Sequence, residues 1–348
     1  MLNKYAEEVI KNSNISNFKV EYSGNNRFYG HSIFSIDSVS KYIDIIYLLN
    51  ECKNKEPKSN VINQICYRGM ENSFYRPVPS ISFKNLFDFE SELVDEFARF
   101  RPEEFSSIEN AFELIAKMQH YGLPTRLLDF TYNPLVALYF ACLESKIDGT
   151  SYNDDKQKDG RVLAHMSENN DVIVNQRVAN IICSMYRHPY GSLLSNDVSS
   201  HQDLFEKNEI EIKKYIETVF YVYGGSVMLR PPYICERQKR QDSVFMLFAN
   251  DMGGLEGWWE LNSEGNKLVD KFEKTDRSKI NFRNNLKQIT ETDIYGSYIS
   301  FIIKSGNKNK VLNELDYIGI NEAFLFPELE YTAKRITDKY SKIILKND

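Results

Sequence analysis

In four stretches of the chain, apolar residues return every three or four positions, the spacing that lines one face of a helix. Over Ser38 to Leu49 that face is Tyr42, Ile45, Ile46 and Leu49, and the helix is predicted to end near Asn50. Over Asp88 to Phe100 it is Phe89, Leu93, Phe97 and Phe100. Over Ser107 to His120 it is Ala111, Leu114, Ile115 and Met118, and Gly122 and Pro124 stop the helix. The fourth, Leu135 to Leu143, is apolar nearly all round, which predicts a buried helix; Asn133 and Pro134 supply its N-cap and first turn.

Shorter apolar runs predict strands. Val61 to Tyr67 reads as a buried strand that runs directly into Arg68 and Gly69. A polar break at Gly149 to Gly160 is followed by strand signals at Arg161 to Met166, Val219 to Val222, Ser226 to Leu229, Val244 to Ala249 and Tyr298 to Ile303. Residues 167–218 read as mostly helical and irregular, and Val311 to Ile318 and Ala323 to Tyr340 as two helices joined by a turn. Strands and helices do not alternate regularly, so the pattern predicts an α+β fold over a doubly wound sheet.

Composition narrows the classes. A hydrophobic fraction of 42% with 22 Phe and 22 Tyr in 348 residues is ample for a sizeable core and excludes disorder along the whole chain. No apolar run is long enough to span a membrane, and the charged start, Met1 to Glu8, is unlike a signal peptide, so a cytoplasmic location without membrane contact is expected. The five cysteines contain no CxxC pair and the five histidines are scattered, so neither a disulfide framework nor a metal site is expected. A net charge of −6 does not mark a nucleic-acid binder, although Arg237 to Arg240 and Lys304 to Lys310 are local basic clusters.

The chain has no GxxxxGK[ST] phosphate loop, no GxGxxG after a strand and no GxSxG elbow, which removes most ordinary nucleotide and hydrolase readings. One stretch concentrates chemistry instead: His120-Tyr121-Gly122-Leu123-Pro124-Thr125-Arg126-Leu127-Leu128-Asp129-Phe130-Thr131, between two buried helices. It reads either as a polar network, with Asp129 and Thr131 capping amides and Arg126 pairing with a carboxylate, or as part of a ligand site. Because Leu127 and Leu128 follow it, Arg126 is expected to be buried and bonded to a carboxylate or to backbone carbonyls. Arg68 likewise reads either as a turn cap or as a phosphate contact, with Gly69 letting an anion approach the backbone.

The sequence resembles the FRG domain family, whose Phe/Tyr-Arg-Gly motif matches Tyr67-Arg68-Gly69. The stretch from His120 to Thr131, running on through Ala137 to Phe140-Ala141, is its most specific match. Arg237-x-x-x-Gln241-x-Ser243-x-Phe245 also fits, with Ser243 where the family usually has Gly, and so does Leu312-x-x-Leu315-Asp316-x-x-Gly319-Ile320-x-x-Ala323-x-Leu325-Phe326-Pro327. The resemblance implies an FRG-type domain over residues 60–340, with 167–218 as a helical insertion and 1–59 as an N-terminal accessory segment.

The order of these motifs is similar to that of ADP-ribosyltransferase-like folds, implying a mixed, mainly antiparallel sheet core with flanking helices. By that likeness NAD is the substrate and no metal is used. Arg68 would hold the phosphates, with Tyr67, Gly69, Thr125, Arg126, Thr131 and Arg237 as further cofactor contacts. Asp129-Phe130-Thr131 takes the place of the hydroxyl-bearing motif, and Gln241 falls where those enzymes carry a catalytic Glu. An amide supplies no charge to the ribose cation that forms as the glycosidic bond breaks. Either Asp129 or Glu236 provides the carboxylate, or the pocket binds a nucleotide without this reaction. Three readings stay open: an NAD-using transferase or glycohydrolase with a protein or nucleic-acid acceptor, of the kind found among bacterial toxins and defence effectors; a nucleotide or nucleic-acid recognition module; and a metal-free nuclease or phosphoesterase with His120 and Asp129 as acid and base.

Overall fold

The computed structural model describes residues 18–22, 30–54, 64–144 apart from 76, 85, 87 and 88, 158–166, 172–173, 180, 183, 226–248 apart from 232 and 234, 259–261, 268–270 and 298–327. In chain order the elements open with β1 (Phe18–Tyr22), β2 (Gly30–Ile36), α1 (Val39–Asn54), β3 (Ile65–Met70), α2 (Ser80–Phe83), α3 (Glu90–Phe100) and α4 (Pro102–Phe105). They continue with α5 (Ala111–His120), β4 (Leu127–Thr131), α6 (Pro134–Cys142), β5 (Gly160–Met166), β6 (Val172–Ile173), β7 (Ser226–Leu229) and α7 (Glu236–Arg240). The last are β8 (Ser243–Phe248), β9 (Trp259–Leu261), β10 (Leu268–Asp270), β11 (Tyr298–Ile303), α8 (Lys308–Tyr317) and α9 (Glu322–Leu325).

Nine strands form one mixed sheet in the order β1-β2-β11-β5-β3-β4-β8-β7-β6, while β9 and β10 pair separately. Within the large sheet β2 pairs with β11 and β6 with β7 in parallel, and the other neighbours are antiparallel. The fold is α+β, with helices packed on the sheet. β2 and α1, from the expected accessory segment, belong to this same sheet and its core.

Two helix clusters share one face of the sheet. Around β3, β5 and β11, side chains such as Tyr67, Val162 and Phe301 pack against α1, α6 and α8. Around β4 and β8, Leu127, Phe245 and Leu247 pack against α3, α4 and α5. The opposite face carries Cys66, Met70, Leu128, Phe130, Val244 and Met246 under Ile81 of α2. Because strand side chains alternate between faces, these memberships fix where each motif residue points.

Local chemistry explains the element ends. Asn133 accepts from the amide of Leu135 at 3.0 Å and Pro134 opens α6, as the sequence leads one to expect. Asn110 caps α5 by accepting from Phe112 and Glu113 at 2.9 and 3.2 Å, and Gly122, with φ of +93°, turns the chain out of it. The orientation of α3 differs from the expectation: Glu90 and Val94 face inward, whereas Phe89 and Phe100 are exposed. The cause is a buried cation, Arg126, that draws Glu90 into the core. The strand signal at Val219 to Val222, most of the insertion at 167–218 and the helix expected beyond residue 327 lie outside the described residues; in that insertion Asn180 and Cys183 have helical backbone. No described helix is long and apolar enough to cross a membrane.

Candidate functional site

β3 and β4 are register partners only at Tyr67 and Thr131, whereas β3 pairs with β5 along its whole length. Past that point the ladder between them lapses, and an Asp129 carbonyl that would have met β3 needs another donor. Arg68 supplies it: its Nη1 donates to Asp129 O at 2.6 Å. Alternation starts Arg68 from the face of Cys66 and Met70 and Asp129 from the face of Leu127 and Thr131, so a cation and a carboxylate approach this gap from opposite sides. Arg68 is half-buried and Asp129 is exposed.

The Asp129 carboxylate is held by α5. Gln119 Nε2 donates to Asp129 Oδ1 at 2.8 Å, while its carbonyl oxygen accepts from the Thr125 hydroxyl. Thr125 also accepts from the amide of Leu127 at 3.1 Å and is buried, so it shapes the entry into β4. The next residue of α5, half-buried His120, lies with Nδ1 3.8 Å from Cys235 Sγ; the imidazole tautomer decides which of them donates.

A second set of contacts joins the end of β4 to α7 and α9. Thr131 Oγ1 donates to Gln241 O at 2.5 Å and accepts from the amide of Asn133 at 2.9 Å. Gln241 turns its side-chain amide to Leu325 O at 3.2 Å, Arg240 donates to Phe324 O at 3.3 Å, and the Arg237 guanidinium stacks 4.4 Å from the Phe326 ring centre. Glu236 is exposed, 4.0 Å from Lys239 Nζ.

Residues 63–149 match the family model of the FRG domain. This chain is an FRG-domain protein. No curated protein and no solved structure matches it. The matched stretch of the FRG domain contains Arg68, His120, Asp129 and Thr131, whereas Gln241 and the α9 contacts come from outside it.

Several expected cofactor contacts of the FRG motifs sit in the core. Arg126 is 0% exposed and both its Nε and Nη2 donate to the Glu90 carboxylate, so the guanidinium is committed inside the protein, not to a ligand. Tyr67 is buried against α1 and α6, and burial pushes its hydroxyl above its ordinary value. Gly69 makes room for a helix rather than an anion: a Cβ there would lie 2.0 Å from Ala137 O and 2.8 Å from Ala141 N. A Cβ on Gly160 would lie 2.0 Å from Ala141 O, so α6 is clasped by two glycines against its small residues. The accessible or half-buried residues of the motifs are therefore Arg68, His120, Asp129, Arg237 and Gln241.

Sequence reading missed Gln119 and Cys235. Gln119 adjoins His120 in the motif and on a helix shares its side of the turn with neighbours three and four residues away, a signal that was present. Nothing in the sequence joins Cys235 to a histidine 115 positions earlier. It also missed a neighbouring polar group: Arg230 donates to Gln64 Oε1 at 2.5 Å and to the Tyr132 hydroxyl at 3.3 Å and stacks 5.1 Å from the Tyr132 ring centre. Among the described residues no His, Cys, Asp and Glu side chains cluster as a metal site would require.

Proposed function

We propose that the gap between β3 and β4 binds a phosphate-bearing nucleotide, and that the nucleotide is NAD, used as an ADP-ribosyl donor. One observation carries the reading: Arg68 Nη1 sits 2.6 Å from Asp129 O, which sets a half-buried guanidinium beside an exposed carboxylate. Guanidinium suits phosphate oxygens in bidentate geometry, and a carboxylate accepts from ribose hydroxyls. As the nicotinamide leaves with the electrons of the glycosidic bond, positive charge grows on the ribose. Asp129, fixed by Gln119 at 2.8 Å, is the group that opposes it. His120 takes the proton of the acceptor, a macromolecule or water, as its nucleophile bonds to the anomeric carbon. Gln241 and Thr131 support the site by bracing the end of β4.

The test is to incubate the full chain with adenylate-labelled NAD, alone and with cell lysate, and follow nicotinamide release and transferred label. Arg68→Ala is expected to raise KM at least about tenfold by removing a charge-assisted contact. Asp129→Asn is expected to lower kcat about a hundredfold with KM little changed, since it keeps shape and removes charge. Absence of both nicotinamide and labelled product, from protein that melts cooperatively, would overturn the enzymatic reading.

A recognition module is the second reading. The bond of the Gln241 amide to Leu325 O favours it, because the position where a catalytic carboxylate is expected is neutral and structurally engaged. It predicts that equilibrium dialysis captures NAD in an Arg68-dependent way while the nucleotide stays intact.

A further inference from the structure

We infer that Cys235 is a nucleophilic thiol, with His120 as its base, that takes soft carbon electrophiles. Among the four cysteines whose side chains are described, Cys66, Cys142 and Cys183 are buried and Cys235 is half-buried. Burial pushes the Cys142 thiol up to about 12 and the Cys183 thiol well above its ordinary value, so both stay protonated and inert. Cys235 differs in kind. Its Sγ is 3.8 Å from an imidazole nitrogen brought from a different element, and a cysteine that only fills core space has no use for such a partner.

The surroundings favour the imidazolium that forms when the thiol gives up its proton. His120 is the last residue of α5, at the negative end of the helix dipole. The residue before it, Gln119, holds the Asp129 carboxylate at 2.8 Å. In the step itself the Cys235 S–H proton passes to His120 Nδ1 and the sulfur lone pair forms an S–C bond. With an α-halo amide the carbon–halogen bond breaks and halide departs with its electrons; with an α,β-unsaturated carbonyl the proton ends on the α-carbon and nothing departs. This reactivity needs only the pair and is independent of the NAD reading.

The experiment treats the full chain with iodoacetamide at neutral pH and follows each cysteine-containing peptide by mass spectrometry, in the native state and in urea. An ordinary thiol is only slightly ionised at neutrality, and the gain from a base is partly offset by lower intrinsic nucleophilicity, so native Cys235 is expected to react about tenfold faster than the same residue in the unfolded chain. Cys66, Cys142 and Cys183 are expected to react more slowly than when unfolded. His120→Gln keeps a polar side chain but no base and is expected to remove the acceleration. A native Cys235 no faster than unfolded Cys235 would overturn the proposal without recourse to any variant. Acceleration that survives in a folded His120→Gln protein would overturn it equally.

Discussion

Arg126 and Arg68 belong to the same family motifs, yet the fold treats them oppositely. Arg126 is sealed at the start of β4 with its guanidinium wrapped by Glu90, whereas Arg68 is half-buried at a lapse in the sheet and bonds a main-chain oxygen. The first arrangement is expensive to build and more expensive to break, because removing one partner leaves a buried charge alone. The second keeps a cation within reach of solvent. A motif arginine is thus a site residue only where the backbone around it leaves a gap.

The comparison is broken or sharpened most strongly by the two alanine variants. Arg126→Ala is expected to cost about 3–5 kcal/mol in urea unfolding, and Arg68→Ala no more than about 1.5 kcal/mol. Equal losses would abolish the distinction. Glycines give the next contrast. Gly69→Ala drives a methyl into the α6 backbone and is expected to cost about 3 kcal/mol or more, whereas Gly122→Ala, with nothing within 4 Å but φ of +93°, is expected to cost about 1 kcal/mol. Similar melting points for the two would mean that α6 can shift away from β3.

The smallest effect is expected at an outer ion pair. Asp159 accepts from Lys304 Nζ and from the Ser305 amide, each at 2.8 Å. Burial raises its carboxyl, and Lys304 and the Ser305 amide outweigh that, leaving it below the ordinary value of 3.8. A depressed folded-state value means the stabilisation is complete above 3.8 and is lost as pH falls below that towards the folded value. Asp159→Asn is therefore expected to cost under about 1 kcal/mol at neutral pH and nothing under strongly acid conditions. A neutral-pH loss as large as that of Arg126→Ala would show that surface and core pairs are not distinguishable here.

Helices were the legible part of the fold. Asn133 with Pro134 announces α6, and the spacing of Ala111, Leu114, Ile115 and Met118 announces α5, because both depend on local signals. β4 is illegible by spacing: Leu127 and Leu128 are both buried, each on a different face, so the alternation that marks a half-exposed strand is absent. The face of α3 was misread because the long-range pull of Arg126 on Glu90 overrides four aromatic and aliphatic positions at helical spacing. Within the site, Arg68 and Asp129 could be named from the motif, but that they meet depends on where a ladder stops, which side-chain pattern does not encode. The role of Gly69 was hidden for the same reason, since the helix it admits is more than sixty positions away.

The helix α7 has mechanical consequences for the region it closes. Five residues without a side-chain cap are far too few to hold a helix in water. A splint holds it instead: the bonds to Phe324 O and Leu325 O and the stacking of Arg237 on Phe326. Whatever displaces residues 322–326 removes the splint, and Gln241 O then loses its fixed position against Thr131. Opening at this distant stretch and fraying at the end of β4 are one event, so their backbone amides should exchange with solvent deuterium at a shared rate.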